Sequence, residues 1–124
     1  MNKILIVDDS STMRMIIRRV LRQANVEVTT ILEAANGVEG LAKLTSDPDI
    51  QLIFSDVNMP EMNGIDMVKA VRAQRDGKSL PIVMVTTEGA DSMVQKAMES
   101  GANAYVTKPF TPESFQAALK PLGI

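Results

Sequence analysis

The segment Ile4-Leu5-Ile6-Val7-Asp8-Asp9 joins a continuously apolar run to two acidic residues. Strands that helices cover on both faces are apolar throughout, whereas strands with one solvated face alternate apolar and polar residues. Residues 52–54, 82–85 and, more weakly, 104–106 repeat this apolar pattern. The sequence therefore predicts the central strands of a parallel sheet, with polar side chains following their carboxyl ends.

Helical patterns lie between these strands. Apolar residues spaced three and four apart from residue 13 to residue 24 predict an amphipathic helix. A β-branched, partly polar run at residues 27–32 predicts an edge strand. Four further helices are predicted at residues 37–46, 64–75, 90–100 and 112–122, and the predicted N-caps are Ser11, Asn36, Asn63 and Thr111.

Strand and helix thus alternate five times in a chain of 124 residues. Right-handed crossovers between parallel strands place helices on both faces of a sheet. We therefore expect one α/β domain, residues 1–124, built on an open, doubly wound, five-stranded sheet. We expect no attached output domain.

The composition excludes several kinds of chemistry. The chain contains no histidine and no cysteine, which removes thiol nucleophiles, histidine bases and Cys/His zinc sites. A net charge of −2 does not match the basic surface of a nucleic-acid-binding protein. The first apolar run is too short for a signal peptide, and no stretch approaches the roughly 20 apolar residues of a membrane span. We expect a cytoplasmic protein without membrane insertion.

Three acidic residues follow predicted strands. Asp8 and Asp9 come after the first strand, and Asp56 comes after the third. Ligands of open α/β sheets bind beyond the carboxyl ends of the strands, so neighbouring strands would bring these carboxylates together. Their mutual repulsion would raise pKa values or require a cation, and Mg²⁺ or Mn²⁺ suits carboxylate oxygens. Helix capping, or a turn at Asp56, is the alternative interpretation.

Two further polar groups end the remaining central strands. Thr86 and Thr87 close the fourth strand, and Lys108 follows the fifth. A hydroxyl, an ammonium and a metal ion can together hold the three equatorial oxygens of a phosphoryl group. Asp56 would then supply the nucleophilic oxygen. The alternatives are strand propensity for Thr86 and a solvated surface lysine for Lys108.

Residues 4–9, 56–64 (Asp-Val-Asn-Met-Pro-Glu-Met-Asn-Gly), 85–86 (Val-Thr) and 108–110 (Lys-Pro-Phe) form a specific combination in this order and spacing. With them the whole chain resembles the receiver domains of bacterial two-component response regulators, and within that family the single-domain, CheY-like chemotaxis regulators. The resemblance implies a flavodoxin-like (βα)5 fold with strand order 2-1-3-4-5. It also implies a phosphoprotein that transmits a signal.

The resemblance assigns a phosphoacceptor and a metal site. It implies that Asp56 accepts a phosphoryl group from the histidine of a partner kinase, which is consistent with the absence of histidine from this chain. It also implies that Asp9 and Asp56 bind Mg²⁺ directly, that Asp8 acts through a bound water, and that Asn58 contributes its backbone carbonyl. Catalysis would be limited to the chain's own phosphorylation and autodephosphorylation, so the chain is not expected to be an enzyme.

The resemblance also assigns a switch. Lys108, joined to Pro109 by a cis peptide bond, would pair with the acylphosphate. Thr86 would move toward a phosphoryl oxygen, and Tyr105 would then change rotamer, making a bistable element. A half-buried strand tyrosine with a hydrated hydroxyl is the alternative for Tyr105.

Three residues bear on the lifetime of the phosphorylated state. Asn58 and Glu88 occupy positions that tune hydrolysis in the family, and this pair resembles that of fast-cycling chemotaxis regulators. Thr87 departs from the small residue that is usual after the switch hydroxyl, which puts the access of water and phosphodonors in question. We expect a short-lived phosphorylated state.

The expected partners are a CheA-like histidine kinase, a phosphatase, and the flagellar motor switch, bound through the face of the fourth helix, fifth strand and fifth helix. The alternatives are a phosphorelay intermediate or kinase regulator outside chemotaxis, and a degenerate receiver that binds without phosphorylation. A Mg²⁺-dependent aspartyl-phosphate phosphatase would need a general acid where the chain has Asn58. A flavin or nucleotide site would place Asp8 and Asp9 against a phosphate.

Overall fold

A computed structural model describes residues 3–75, 79–87 and 91–123, except the side chains of residues 87 and 91. Five parallel strands form one sheet in the order β2-β1-β3-β4-β5, which confirms the predicted fold class and strand order. The strands are β1 (Lys3–Val7), β2 (Thr30–Ala34), β3 (Leu52–Asp56), β4 (Ile82–Thr87) and β5 (Ala104–Lys108). The helices are α1 (Ser11–Gln23), α2 (Gly37–Ser46), α3 (Gly64–Arg72), α4 (Asp91–Ser100), α5 (Pro112–Leu119) and a final 3-10 turn (Lys120–Leu122).

The central strands are buried on both faces, as their continuous apolar sequence predicts. On β1, Leu5 and Val7 pack into the core under α2, α3 and α4, while Ile4 and Ile6 pack into the core under α1 and α5. The helices therefore cover both faces of the sheet. No helix among residues 3–75, 79–87 and 91–123 has the length and apolar character needed to cross a membrane.

The edge strand lies later in the chain than predicted. Strand β2 spans Thr30–Ala34 and not residues 27–32, because it pairs with the whole of β1, from Lys3 opposite Thr30 to Val7 opposite Ala34. The β-branched residues just before it identify the region but not the register. Pairing with β1, which is a long-range interaction, determines the boundary.

Three helix boundaries also differ from the prediction. Helix α1 is capped by Ser10, whose side chain accepts a hydrogen bond from the Met13 N–H, so the predicted cap Ser11 is the first helical residue. Helix α3 ends at Arg72 and not at residue 75, because a turn follows it. Helix α5 ends at Leu119, since Pro121 has no N–H to continue the α-helical pattern. The other predicted caps are confirmed: Asn36, Asn63 and Thr111.

Candidate functional site

The sheet register brings the three acidic residues to one place. Val7 of β1 lies opposite Ser55 of β3, so Asp8 follows β1 at the level where Asp56 ends β3. One carboxylate oxygen from each of Asp8, Asp9 and Asp56 lies within 4.8 Å of the other two. The carboxyl ends of β1 and β3 thus form an acidic cluster, consisting of these three residues.

The members of the acidic cluster differ in exposure and in pKa. Asp8 is 1% exposed, and burial, opposed by the Ser10 N–H and reinforced by the charge of Asp56, raises its pKa to about 6. Burial also raises the pKa of the half-buried Asp56, against the opposing charge of Lys108 and a hydrogen bond from the Val57 N–H. Asp9 is exposed. The carboxyls of Asp8 and Asp56 therefore ionise less readily than a solvated aspartate in the metal-free protein.

Two buried oxygens at this end of the sheet have no hydrogen-bond partner among residues 3–75, 79–87 and 91–123. Asp8 Oδ1 accepts a hydrogen bond from the Ser10 N–H at 2.9 Å, but Asp8 Oδ2 has no partner within the described part of the chain. The Thr86 hydroxyl, on a residue that is 2% exposed, has none either. A buried polar atom without a partner costs about 1–3 kcal/mol, so a water, an ion or another ligand is expected at such an atom.

The acidic cluster fits a hard divalent cation. Its donor atoms are all carboxylate oxygens, which Mg²⁺ and Mn²⁺ prefer, and Asp8 Oδ2 is available as an acceptor. The exposed Asn58 lies two residues beyond β3, and its N–H opposes the rise that burial causes in the pKa of Asp56. The residues that could hold the cation are Asp8, Asp9, Asp56 and the carbonyl of Asn58.

The register of β4 and β5 places Thr86, Thr87 and Lys108 at the same end of the sheet. Asp56 lies opposite Val85, so Thr86 is one residue further along β4. Thr87 lies opposite Lys108, whose charge opposes the rise that burial causes in the pKa values of Asp8 and Asp56. Tyr105 lies opposite Met84, further back along the sheet, and is 48% exposed.

A tight loop fixes the backbone of Asp56. The Val57 carbonyl accepts a hydrogen bond from the Gly64 N–H at 2.8 Å, which folds the start of α3 against the end of β3. A Cβ atom on Gly64 would lie 2.1 Å from the Asp56 carbonyl oxygen, so this approach requires glycine. On the other side of the site, the peptide bond between Lys108 and Pro109 is cis, as the family resemblance implies.

Two predicted residues cannot be placed in this geometry. Glu88 lies outside the described residues, and so does the side chain of Thr87. Their roles in hydrolysis and in access to Asp56 stay predictions.

Arg14 is a site neighbour that the sequence interpretation missed. Its Nε donates to Glu33 Oε1 at 2.8 Å, and its Nη1 donates to the backbone carbonyl of Asp8. A cation in the first turn of a helix is unfavourable because the helix dipole is positive there. The position of Arg14 in α1 was therefore a signal that it has a specific acceptor elsewhere.

Comparisons with known proteins agree with this architecture. The family model for the response regulator receiver domain matches residues 4–120. Chemotaxis protein CheY1 of Helicobacter pylori is 48% identical over 118 residues, covering 95% of this chain and 94% of that protein. The chemotaxis protein CheY homolog of Campylobacter jejuni is 46% identical, covering 95% and 89%. The solved structure of chemotaxis response regulator CheY4 of Vibrio cholerae has a TM-score of 0.81 at 39% identity and covers 98% of both chains.

Proposed function

The chain belongs to the response regulator receiver domain family, and from this we propose that it is a phosphorylation-dependent signalling switch in which Asp56 accepts the phosphoryl group. The relatives named as chemotaxis proteins support a role in two-component chemotaxis signalling. We further propose that residues 1–124 form a single receiver domain and that this domain catalyses only reactions of its own phosphoryl group.

One observation supports this function more than any other. The buried side-chain oxygens without hydrogen-bond partners among the described residues are Asp8 Oδ2 and Thr86 Oγ1. The first is an acceptor, as a cation requires, and the second is a hydroxyl that can donate to a phosphoryl oxygen. Asp56 lies between their strands in the sheet order, so both unpaired groups flank the proposed phosphoacceptor.

The acidic cluster, Asp8, Asp9 and Asp56, would hold Mg²⁺ or Mn²⁺ together with the carbonyl of Asn58. When bound, the cation supplies positive charge that neutralises the clustered carboxylates and the phosphoryl oxygens. Asp8 would contribute through a bound water. The roles of these four residues rest on the family resemblance and on the oxygen donor set.

The phosphoryl transfer requires little chemistry from the protein beyond positioning. A carboxylate oxygen of Asp56 forms a bond to the phosphorus of a phosphohistidine on the partner kinase. The P–N bond breaks, and its electron pair stays on the departing imidazole. Lys108 then pairs with the phosphoryl oxygens, and the Thr86 hydroxyl donates a hydrogen bond to one of them.

Hydrolysis of the acylphosphate ends the signal. Water attacks the phosphorus, the bond to the Asp56 oxygen breaks, and inorganic phosphate leaves. Asn58 is exposed beside Asp56, where its side chain can affect the approach of that water. We propose that Asn58 and Glu88 adjust the rate and that the phosphorylated state is short-lived.

The output is protein binding. We propose that movement of Thr86 changes the rotamer of Tyr105, and that partners bind the face of α4, β5 and α5. A CheA-like histidine kinase is the proposed donor, the flagellar motor switch the proposed target, and a phosphatase a further partner. The exposed position of Tyr105 on β5 supports this face as the reporting surface. The cytoplasmic location expected from the sequence stays a prediction.

Mass spectrometry tests the phosphoacceptor directly. The protein is incubated with acetyl phosphate and Mg²⁺, and the wild type is expected to gain the mass of one phosphoryl group, whereas Asp56→Asn gains none. Asp49→Asn removes an exposed acid at the opposite end of β3 and serves as the matched control. Unmodified wild-type protein, or equal modification of Asp56→Asn, would contradict the proposal.

A further inference from the structure

Arg14 connects the loop after β1 to the edge strand β2. Through Nε it binds Glu33 of β2 at 2.8 Å, and through Nη1 it binds the carbonyl oxygen of Asp8. Its side chain is 17% exposed, and a planar guanidinium presents several donors in a fixed geometry. One side chain thus joins α1, β2 and the loop after β1.

Glu33, the residue that holds Arg14 in this position, is a stable anion. Burial alone would raise the pKa of Glu33, but hydrogen bonds from Arg14 and Arg18 bring that pKa below its ordinary value. Arg18 binds the second carboxylate oxygen, Oε2, at 2.8 Å and is more exposed than Arg14. Glu33 is therefore ionised at neutral pH and holds Arg14 in place by a charge-assisted hydrogen bond.

The backbone of Asp8 is held from both sides. Its N–H donates to the carbonyl of Ala34 in β2 at 3.0 Å, and its carbonyl accepts from Arg14. A peptide unit is planar, so fixing the Asp8 carbonyl also fixes the N–H and Cα of Asp9. The contact with Arg14 consequently fixes the backbone of Asp8 relative to that of Asp9, the two neighbouring members of the acidic cluster.

We propose that Arg14 is a positioning residue for the cation site: its bond to the Asp8 carbonyl, anchored on Glu33, sets the affinity of the acidic cluster for Mg²⁺. This inference rests on the proposed function, because it assumes that the cluster binds the cation. Removing an outer partner of a metal ligand typically weakens metal affinity about 10-fold to 100-fold. The contact here is to the backbone, so the effect belongs at the lower end.

The positioning role and a purely electrostatic role of Arg14 predict opposite changes in Mg²⁺ affinity. If Arg14 acted only through its charge, its removal would relieve repulsion of the cation and strengthen Mg²⁺ binding. Positioning predicts weaker binding. Arg14→Lys separates the effect of charge from that of positioning. It keeps the positive charge, but its single ammonium nitrogen replaces the guanidinium, whose separate nitrogens bind both Glu33 and Asp8.

Isothermal titration calorimetry with MgCl₂ at constant ionic strength tests the inference on the metal-free protein. We expect the Mg²⁺ Kd of Arg14→Gln and of Arg14→Lys to rise about tenfold relative to the wild type. Arg18→Gln, which makes the same charge change beside the same glutamate, is the matched control and should stay within about twofold. Circular dichroism melts in metal-free buffer establish that each variant is folded at the titration temperature.

The outcomes separate this inference from the function on which it rests. A wild type that binds Mg²⁺, with both Arg14 variants within twofold of it or tighter, overturns the positioning role and leaves the proposed function intact. A wild type that does not bind Mg²⁺ overturns both. Equal tightening in Arg14→Gln and Arg18→Gln, with wild-type affinity in Arg14→Lys, would assign the effect to charge and also overturn the positioning role.

Discussion

Two requirements conflict at Asp8. Its carboxyl is 1% exposed at the end of a fully buried strand, where an uncompensated charge is unfavourable, yet a cation site needs that carboxyl ionised. The metal-free protein therefore carries an energetic penalty at neutral pH that a bound cation would remove. Such conflicts between stability and local chemistry are typical of functional sites.

Asparagine at position 8 should relieve this penalty. It has nearly the same shape, and its Oδ1 can still accept the hydrogen bond from the Ser10 N–H. In metal-free buffer at pH 7 we expect Asp8→Asn to raise the free energy of unfolding by about 2 kcal/mol. Urea denaturation measures the difference, and Asp49→Asn, which changes an exposed acid, should stay within about 0.5 kcal/mol of the wild type.

The gain in the free energy of unfolding that we expect for Asp8→Asn must depend on pH. The folded-state pKa of Asp8, about 6, lies above its ordinary value of 3.8, so the folded protein binds the proton more tightly than the unfolded chain. The stability contributed by the protonated carboxyl is fully present below about pH 4 and is lost as the pH rises through about 6. The advantage of Asp8→Asn should therefore disappear toward pH 4. A gain that persists there would rule out titration of Asp8 as its cause.

At the scale of elements, sequence patterns predict interiors better than ends. The continuous apolar runs identify β1, β3 and β4 because burial on both faces demands apolar residues at every position. The start of β2 depends instead on pairing with β1, which the periodicity of the sequence does not reveal.

The same difference applies to the site. The acidic cluster could be predicted from the positions at which strands end, whereas the hydrogen bond from Arg14 to Asp8 depends on side-chain contacts across three elements.

The cap of α1 provides a test in which the two candidate residues are adjacent serines. Ser10 has extended backbone angles, and its hydroxyl accepts from the Met13 N–H at 3.1 Å, while Ser11 is the first residue of the helix. We expect Ser10→Ala to lower the free energy of unfolding by about 1 kcal/mol. Ser11→Ala is the matched control and should change it by less than about 0.5 kcal/mol. Thermal or urea denaturation decides between them, and a larger loss in Ser11→Ala would reject the observed cap.

The junction of β3 and α3 leaves no room for a side chain at position 64. Alanine at position 64 would place its Cβ 2.1 Å from the Asp56 carbonyl oxygen, and backbone cannot move aside cheaply. We expect Gly64→Ala to cost about 3 kcal/mol of unfolding free energy and to slow phosphorylation by acetyl phosphate, since Asp56 must shift. Gly123→Ala, at φ 78° with no atom within 4 Å, tests backbone strain alone and should cost about 1 kcal/mol. Similar stabilities for the two variants would show that the loop relaxes easily.

At the scale of the whole molecule, the sheet connects the acidic cluster to the proposed binding face. Asp56 on β3, Thr86 on β4 and Tyr105 on β5 lie on three consecutive strands. A switch of this kind needs a differential interaction with the ligand in two states, and allosteric coupling typically amounts to about 1–3 kcal/mol. The Thr86 hydroxyl, which has no hydrogen-bond partner among the described residues, is the group whose bonding would differ between the states.

This coupling can be observed at one residue, because Tyr105 is the only tyrosine in the chain. Protein labelled with 3-fluorotyrosine gives a single ¹⁹F resonance, which we expect to shift when acetyl phosphate and Mg²⁺ phosphorylate Asp56. Thr86→Val removes the hydroxyl while nearly preserving its shape, so at the same phosphoryl occupancy, measured by mass spectrometry, the shift should fall by more than about half. Thr107→Val alters the exposed threonine directly opposite Thr86 and should retain the wild-type shift. If Thr86→Val shifts as fully as the wild type, the signal reaches β5 by a route that does not involve the Thr86 hydroxyl.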